Sequence, residues 1–138
     1  MSMPAINGWV LPAALTAAIE AGRWVAPSDA ALLERVFAEP PEDPSFYTLE
    51  YMRFENGRWL ENAVRSPELC GEPDNAAPPG DIDPGRSVLI GDLGCDMSFA
   101  LDFRISDAAP QVIFLTPSTG RWITVAPRIE DLLVRLGL

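Results

Sequence analysis

Residues Ile90 to Met97 read IGDLGCDM, which gathers two glycines, two aspartates and one of the two cysteines of the chain into eight positions. Three kinds of chemistry could use such a cluster. A phosphate cradle would need backbone N–H groups aimed at the anion, usually at a helix N-terminus with positive charge nearby. Here a strand follows the loop, and Asp92 and Asp96 would repel the anion. A calcium loop opening at Asp81, with Asp83 third and Asp92 twelfth, would need an oxygen ligand fifth and glycine sixth. Those positions hold Gly85 and Arg86, so Asp83-Pro84-Gly85 reads as a turn. Paired carboxylates for hydrolysis could be drawn from Asp92, Asp96 and Asp102, but they need a set separation across a cleft, and a hairpin uses aspartates simply because they tolerate turn conformations. Cys95 lies beside Asp92 and Asp96, which oppose thiolate formation. The stretch therefore reads as a hairpin connection, its glycines supplying positive φ and its aspartates capping the turn.

The residue inventory removes further classes. There is no histidine, so Ser-His-Asp and Cys-His catalysis in their usual form are excluded, as is the commonest zinc ligand. All ten basic residues are arginine, which removes Schiff-base chemistry and the lysine of a phosphate-binding loop. Cys70 and Cys95 are too few for a disulfide framework and read as unpaired thiols in a reducing compartment. No cofactor and no metal is called for.

Net charge is −10 and lies mostly in the middle of the chain: residues 39 to 83 hold eleven acids against three arginines. Such a chain repels phosphate backbones, which argues against nucleic acid as a direct ligand and favours a basic partner. The apolar start, MSMPAINGWVLPAALTAAIEAG, lacks a basic leader and is interrupted by Pro12 and Glu20, so it reads as an ordinary helix. No window is long and apolar enough for a membrane span, and a cytoplasmic setting is expected.

The elements that must position these residues follow from periodicity. With 138 residues, 48% of them apolar, one core is the default. Pro12 opens a helix that places Leu15, Ala18 and Ile19 on one face and stops at Gly22. A second helix carries Leu32, Leu33, Val36 and Phe37, with Ser28 as N-cap and Asp29 in the first turn. A third starts near Thr48, and Gly57 leaves its length open. Residues 66 to 86 are rich in proline and acid and read as a surface loop with at most a brief edge strand.

After Arg86 the period changes to two. SVLI, SFALDFR, QVIFL and RWITVA read as strands joined by connections too short for parallel crossovers, hence a four-stranded antiparallel meander. Phe99, Leu101 and Phe103 share one face of the second strand, and Asp102 and Arg104 can pair on the other. Pro127 opens a terminal helix with Ile129, Leu132, Leu133 and Leu136 at helical spacing. The fold class is α+β: helices through residue 65, the loop at 66–86, strands over 87–126 and a helix over 127–138, in a single domain.

Asp83-Pro84, Ile90 to Gly94, Ala100 to Arg104, Pro110, Trp122 and Ala126-Pro127, in that order and spacing, resemble the C-terminal half of bacterial members of the SUKH superfamily, which also holds the Smi/Knr-type cell-wall regulators. Phe103 stands where that pattern has tyrosine, and Phe46 to Asn56 is similar to the helix those proteins carry upstream. The resemblance implies a mainly antiparallel α+β fold and protein binding without catalysis. Many members are immunity proteins that neutralise a polymorphic toxin, often a nuclease; others are regulators or scaffolds.

The leading expectation is thus neutralisation of a basic toxin by occlusion. A docking surface is expected on the acidic loop, with Glu68, Glu72, Asp74, Asp81 and Asp83 steering the partner. Trp59 is offered as an aromatic anchor beside it, while Trp24 and Trp122 are expected in the core. A scaffold binding a host protein, and a small carboxylate hydrolase, are the alternatives.

Overall fold

The computed structural model describes residues 4–138. The chain opens not with a helix but with a hairpin, β1 (Ala5–Ile6) and β2 (Trp9–Val10). Its turn is Asn7-Gly8, with φ of 53° and 85°. Asn-Gly meets the need of a two-residue hairpin for positive φ at both central positions, and this corrects the wholly helical reading of the N-terminus. Met1, Ser2 and Met3 lie outside the described residues.

Helix α1 (Ala13–Glu20) follows Pro12, whose fixed φ and missing N–H suit a helix start. Helix α2 (Ala30–Phe37) is capped by Asp29 and not Ser28: the Asp29 carboxylate accepts from the N–H groups of Ala31 and Leu32 at 3.1 and 3.2 Å. Strand β3 (Ser45–Phe46) leads into α3 (Leu49–Arg65), where the Thr48 hydroxyl accepts from Tyr51 N–H at 3.1 Å. Gly57 does not end α3. Its helix penalty of about 1 kcal/mol is outweighed by Met52, Asn56, Trp59 and Ala63, which form the buried face on both sides of it.

The segment from 66 to 86 is more ordered than a loop. It contains a single 3-10 turn at Pro67–Cys70, strand β4 (Pro79–Gly80) and a second 3-10 turn at Pro84–Arg86. Then come β5 (Ser87–Asp92), β6 (Ser98–Asp102), β7 (Gln111–Thr116), β8 (Arg121–Ala126) and α4 (Ile129–Leu136). The expected meander is present, widened to six antiparallel strands in the order β3-β5-β6-β7-β8-β4. The fold class is α+β.

Period-two alternation gives each sheet face its own cover. Phe99 and Phe114 are paired across β6 and β7, and both rings pack on Phe37 of α2, with centroids 5.0 and 5.2 Å apart. Phe46 and Trp24 extend this aromatic centre, which sits under α1, α2 and α4. Burying each such ring contributes roughly 1.5–3 kcal/mol. The opposite face is covered in part by α3, so β6 is buried on both sides: Ala100 and Asp102 are as buried as Phe99 and Leu101. Trp24 and Trp122 are core residues, as expected.

Asn56 fixes α3 to β5. Its side-chain amide donates to Leu89 C=O at 2.9 Å and accepts from Leu89 N–H at 2.8 Å, and the same NH2 also donates to Met52 C=O. Next to it the Trp59 indole donates to Ser87 Oγ at 3.1 Å. Among the described residues no helix is long and apolar enough to cross a membrane.

Candidate partner-binding groove

With its buried face fixed on β5, α3 turns a second stripe, Tyr51, Glu55 and Asn62, toward a groove in the α3 side of the sheet. These positions are four and seven apart, hence on one helix face. Leu89, Ser98, Leu115 and Trp122 contribute from four adjacent strands, and Gly94, Cys95 and Asp96 of the β5–β6 turn form part of its wall. The volume is about 260 Å³. A second recess of about 320 Å³ shares Leu69, Leu115 and Asp96 with it and runs on to Glu68.

Tyr47, where β3 passes into α3, donates its hydroxyl to Asp92 Oδ2 at 2.6 Å. The other Asp92 oxygen accepts from Gly94 N–H at 3.1 Å. Asp92 is therefore more than a turn residue: it ties the start of α3 to the hairpin. Burial pushes its carboxyl above the ordinary range, and the charges of Asp43 and Glu55 add to this, against the opposing hydrogen bonds from Tyr47 and Gly94. Burial likewise pushes the Tyr47 phenol up strongly, helped by its hydrogen bond to Asp92.

These shifts give a signed expectation. Between the ordinary carboxylate value and its raised folded value, Asp92 binds more protons folded than unfolded, so its contribution to stability falls as pH rises through that window. Asp92→Asn removes the charge and keeps an oxygen for Tyr47, while its NH2 replaces the oxygen that accepts from Gly94 N–H. In urea unfolding, the stability of the variant relative to the parent should rise as pH goes from about 4 to 7. An unchanged pH slope would show that Asp92 titrates alike in both states.

An aromatic row leaves the groove along α3. Tyr47 meets Tyr51 edge-on at 4.7 Å, Tyr51 lies 6.0 Å from Phe54, and the Arg58 guanidinium sits 5.7 Å from the Phe54 ring centroid. Tyr51 is 44% exposed and Phe54 56%. Two large rings side by side in solvent carry apolar area that the core does not use. Tyrosine, with its polar tip, and phenylalanine are both enriched at protein interfaces.

The residues expected to form the docking surface are placed differently. Trp59 lines the groove but is 4% exposed and belongs to the core, because it falls on the same helical face as Met52, Asn56 and Ala63. Asp81 is not a free charge: Arg104 donates to its carboxylate at 2.9 Å and, through Nε at 3.0 Å, to the buried Asp102. Asp74 accepts from the N–H groups of Ala76 and Ala77, and Asp83 from Gly85 N–H, so both are spent on turns. Glu72 is exposed and pairs with Arg121 at 3.3 Å. Glu68 is exposed and stands at the rim of the second recess. The segment is held down by Trp122, whose indole donates to Leu69 C=O at 2.8 Å, and by Ile82 N–H bonding to Cys70 C=O.

Of the six, Glu68 alone lines either recess while presenting a charge to solvent. Of the groove residues, Asp92 and Asp96 figure in the sequence only as turn residues or hydrolytic carboxylates, and Tyr47, Tyr51 and Glu55 are not singled out there. The four-residue spacing of Tyr47, Tyr51 and Glu55 was the available signal for three of them.

The expected pairing of Asp102 with Arg104 is present, and it keeps Asp102 out of the groove. Asp92 has a phenol and not a second carboxylate as its hydrogen-bond partner. Among the described residues no three Cys, Asp or Glu side chains gather as a metal ion would need. Cys70 is half-buried and Cys95 exposed, and neither is in a disulfide; burial, then Asp81 and Asp83, push the Cys70 thiol up. The arrangement as a whole suits binding: a concave acidic recess beside exposed rings. Compared with protein-family models, with curated proteins and with solved structures, the chain matches none.

Proposed function

We propose that the chain is a SUKH-like, non-catalytic protein-binding module that neutralises a basic toxin domain by covering its active-site face. The observation that supports this most is the pairing of exposed Tyr51 and Phe54 with a groove whose charged residues, Glu55, Asp92 and Asp96, are all acids. Aromatic anchors slow dissociation, and acids of one sign steer a cationic partner and speed association. The docking face in this reading is the α3 row and the groove mouth with Glu68, and the 66–83 segment supplies its border.

The test is co-expression with a toxin domain encoded beside this chain, followed by binding kinetics. Cells should survive the toxin only when the chain is present. Tyr51→Ala with Phe54→Ala should weaken binding by about 10- to 100-fold, chiefly through faster dissociation. Glu68→Lys with Glu72→Lys should instead slow association several-fold at low salt, by roughly the factor rim charges contribute, and flatten its salt dependence. Cells killed equally with and without the chain would reject the neutralising role. Tight binding to a host protein without rescue would favour the scaffold reading.

A further inference from the structure

We propose that the groove between α3 and the β5–β6 turn receives one basic side chain of the partner, an arginine guanidinium, between the tyrosine wall and the carboxylates of Glu55, Asp92 and Asp96. This rests on the protein-binding reading above and names the chemistry that would be recognised.

Size is the first argument. At about 260 Å³ the groove falls below the roughly 300–1,000 Å³ of sites that enclose a drug-sized molecule, and it suits a single inserted side chain. Its walls are the second. Tyr51, 44% exposed, supplies the accessible ring, with Tyr47 and Trp122 buried behind the wall, and planar guanidinium stacks on such a ring better than a compact ammonium. Charge complementarity is the third. No arginine lines the groove: Arg58 of α3 lies over the Phe54 ring, and Arg121 of β8 is turned to Glu72. An apolar plug would bury Glu55 and Asp92 further without a counter-charge, whereas a guanidinium offers each a charge-assisted hydrogen bond.

The β5–β6 turn is shaped to present its acid. Asp96 adopts φ of 58°, a conformation that Asp and Asn accept more readily than most residues, and it borders both recesses. Asp96→Asn therefore removes charge without disturbing the backbone. Glu55→Gln does the same on α3, where no hydrogen bond depends on the carboxylate charge.

The test uses the full chain, ¹⁵N-labelled, titrated with N-acetyl-arginine amide and, separately, with the neutral isostere N-acetyl-citrulline amide. The arginine probe should give saturable NMR shifts concentrated at Tyr51, Glu55, Cys95 and the Trp122 indole. The citrulline probe should bind about tenfold more weakly, and Glu55→Gln with Asp96→Asn should weaken the arginine probe by a similar factor while leaving the thermal midpoint unchanged. Equal binding of the two probes, or arginine shifts scattered over the acidic surface and absent from the groove, would overturn the assignment.

The toxin domain provides the second arm. The double variant should lose about tenfold or more in affinity for it, in keeping with loss of a charge-assisted contact. Undiminished affinity in a chain that protects cells would remove the groove from the interface and leave the neutralising role standing. Arginine capture in the groove by a chain that fails to protect would have the opposite meaning.

Discussion

Asn56→Leu should lower the unfolding free energy by about 3–5 kcal/mol. The substitution removes both partners that Leu89 has in α3, leaving a buried N–H and a buried C=O, each of which costs roughly 1–3 kcal/mol when unsatisfied. Leucine has the same reach but can neither donate nor accept, so the loss is not recovered by packing. Single domains have about 5–15 kcal/mol in all, so the variant would lose a substantial part of its stability. Urea denaturation should show a lower midpoint with an unchanged slope, the mark of lost stability without a change in exposed area. A loss under about 1 kcal/mol would mean that water reaches Leu89 and replaces the amide.

Gly91→Ala is the second large effect, and it changes the meaning of the IGDLG stretch. Gly91 has no positive φ; Gly94, at 149°, is the glycine there whose backbone requires one. What Gly91 provides is space. A Cβ at this position would lie 2.6 Å from Phe99 Cε1 and 2.9 Å from the Ser45 carbonyl oxygen, and closer still to Phe99 Cζ. The Phe99 ring cannot swing away, because Phe37, Phe46 and Trp24 surround it. Overpacking of this kind costs typically 1–3 kcal/mol, and with both backbone and a confined ring in the way about 3 kcal/mol is expected. The thermal midpoint should fall by on the order of 10 °C. Combining Gly91→Ala with Phe99→Leu should be less damaging than the two losses added, since the smaller side chain relieves the collision. Simple additivity would show that Phe99 is not the obstacle.

These two positions show which parts of the molecule local sequence specifies. The meander was readable because alternation survives in SFALDFR and because the connections are too short for crossovers. The start of α3 was readable from Thr48. The cap of α2 was misplaced by one residue, since Ser28 and Asp29 are both good caps and only the geometry selects between them. The N-terminal hairpin was missed although Asn7-Gly8 announces it, because the apolar run around it was read at helical period. Gly91 was assigned the wrong property: space, unlike φ, depends on a ring that arrives from the next strand.

The site was less legible than the fold for the same reason. Asp81 and Arg104 are 23 residues apart, and no local pattern says that they pair. Trp59 fell among acids in sequence, yet it shares a helical face with Met52, Asn56 and Ala63, and that face decides its burial. A groove assembled from the α3 flank, four strands and a turn exists only after the sheet has formed.

The sheet itself ends at both sides in strands of two residues, β3 and β4, one of which carries Pro79 and so lacks a donor there. Part of the remaining border of β5 is taken by the amide of Asn56 in place of another strand. Such borders offer little template for a foreign strand to extend the ladder, whether from another copy of the chain or from a partner. In the proposed protein-binding role, recognition is thereby left to side chains, where a single substitution on α3 or in the β5–β6 turn would alter which partner is accepted while the hydrogen-bonded frame stays as it is.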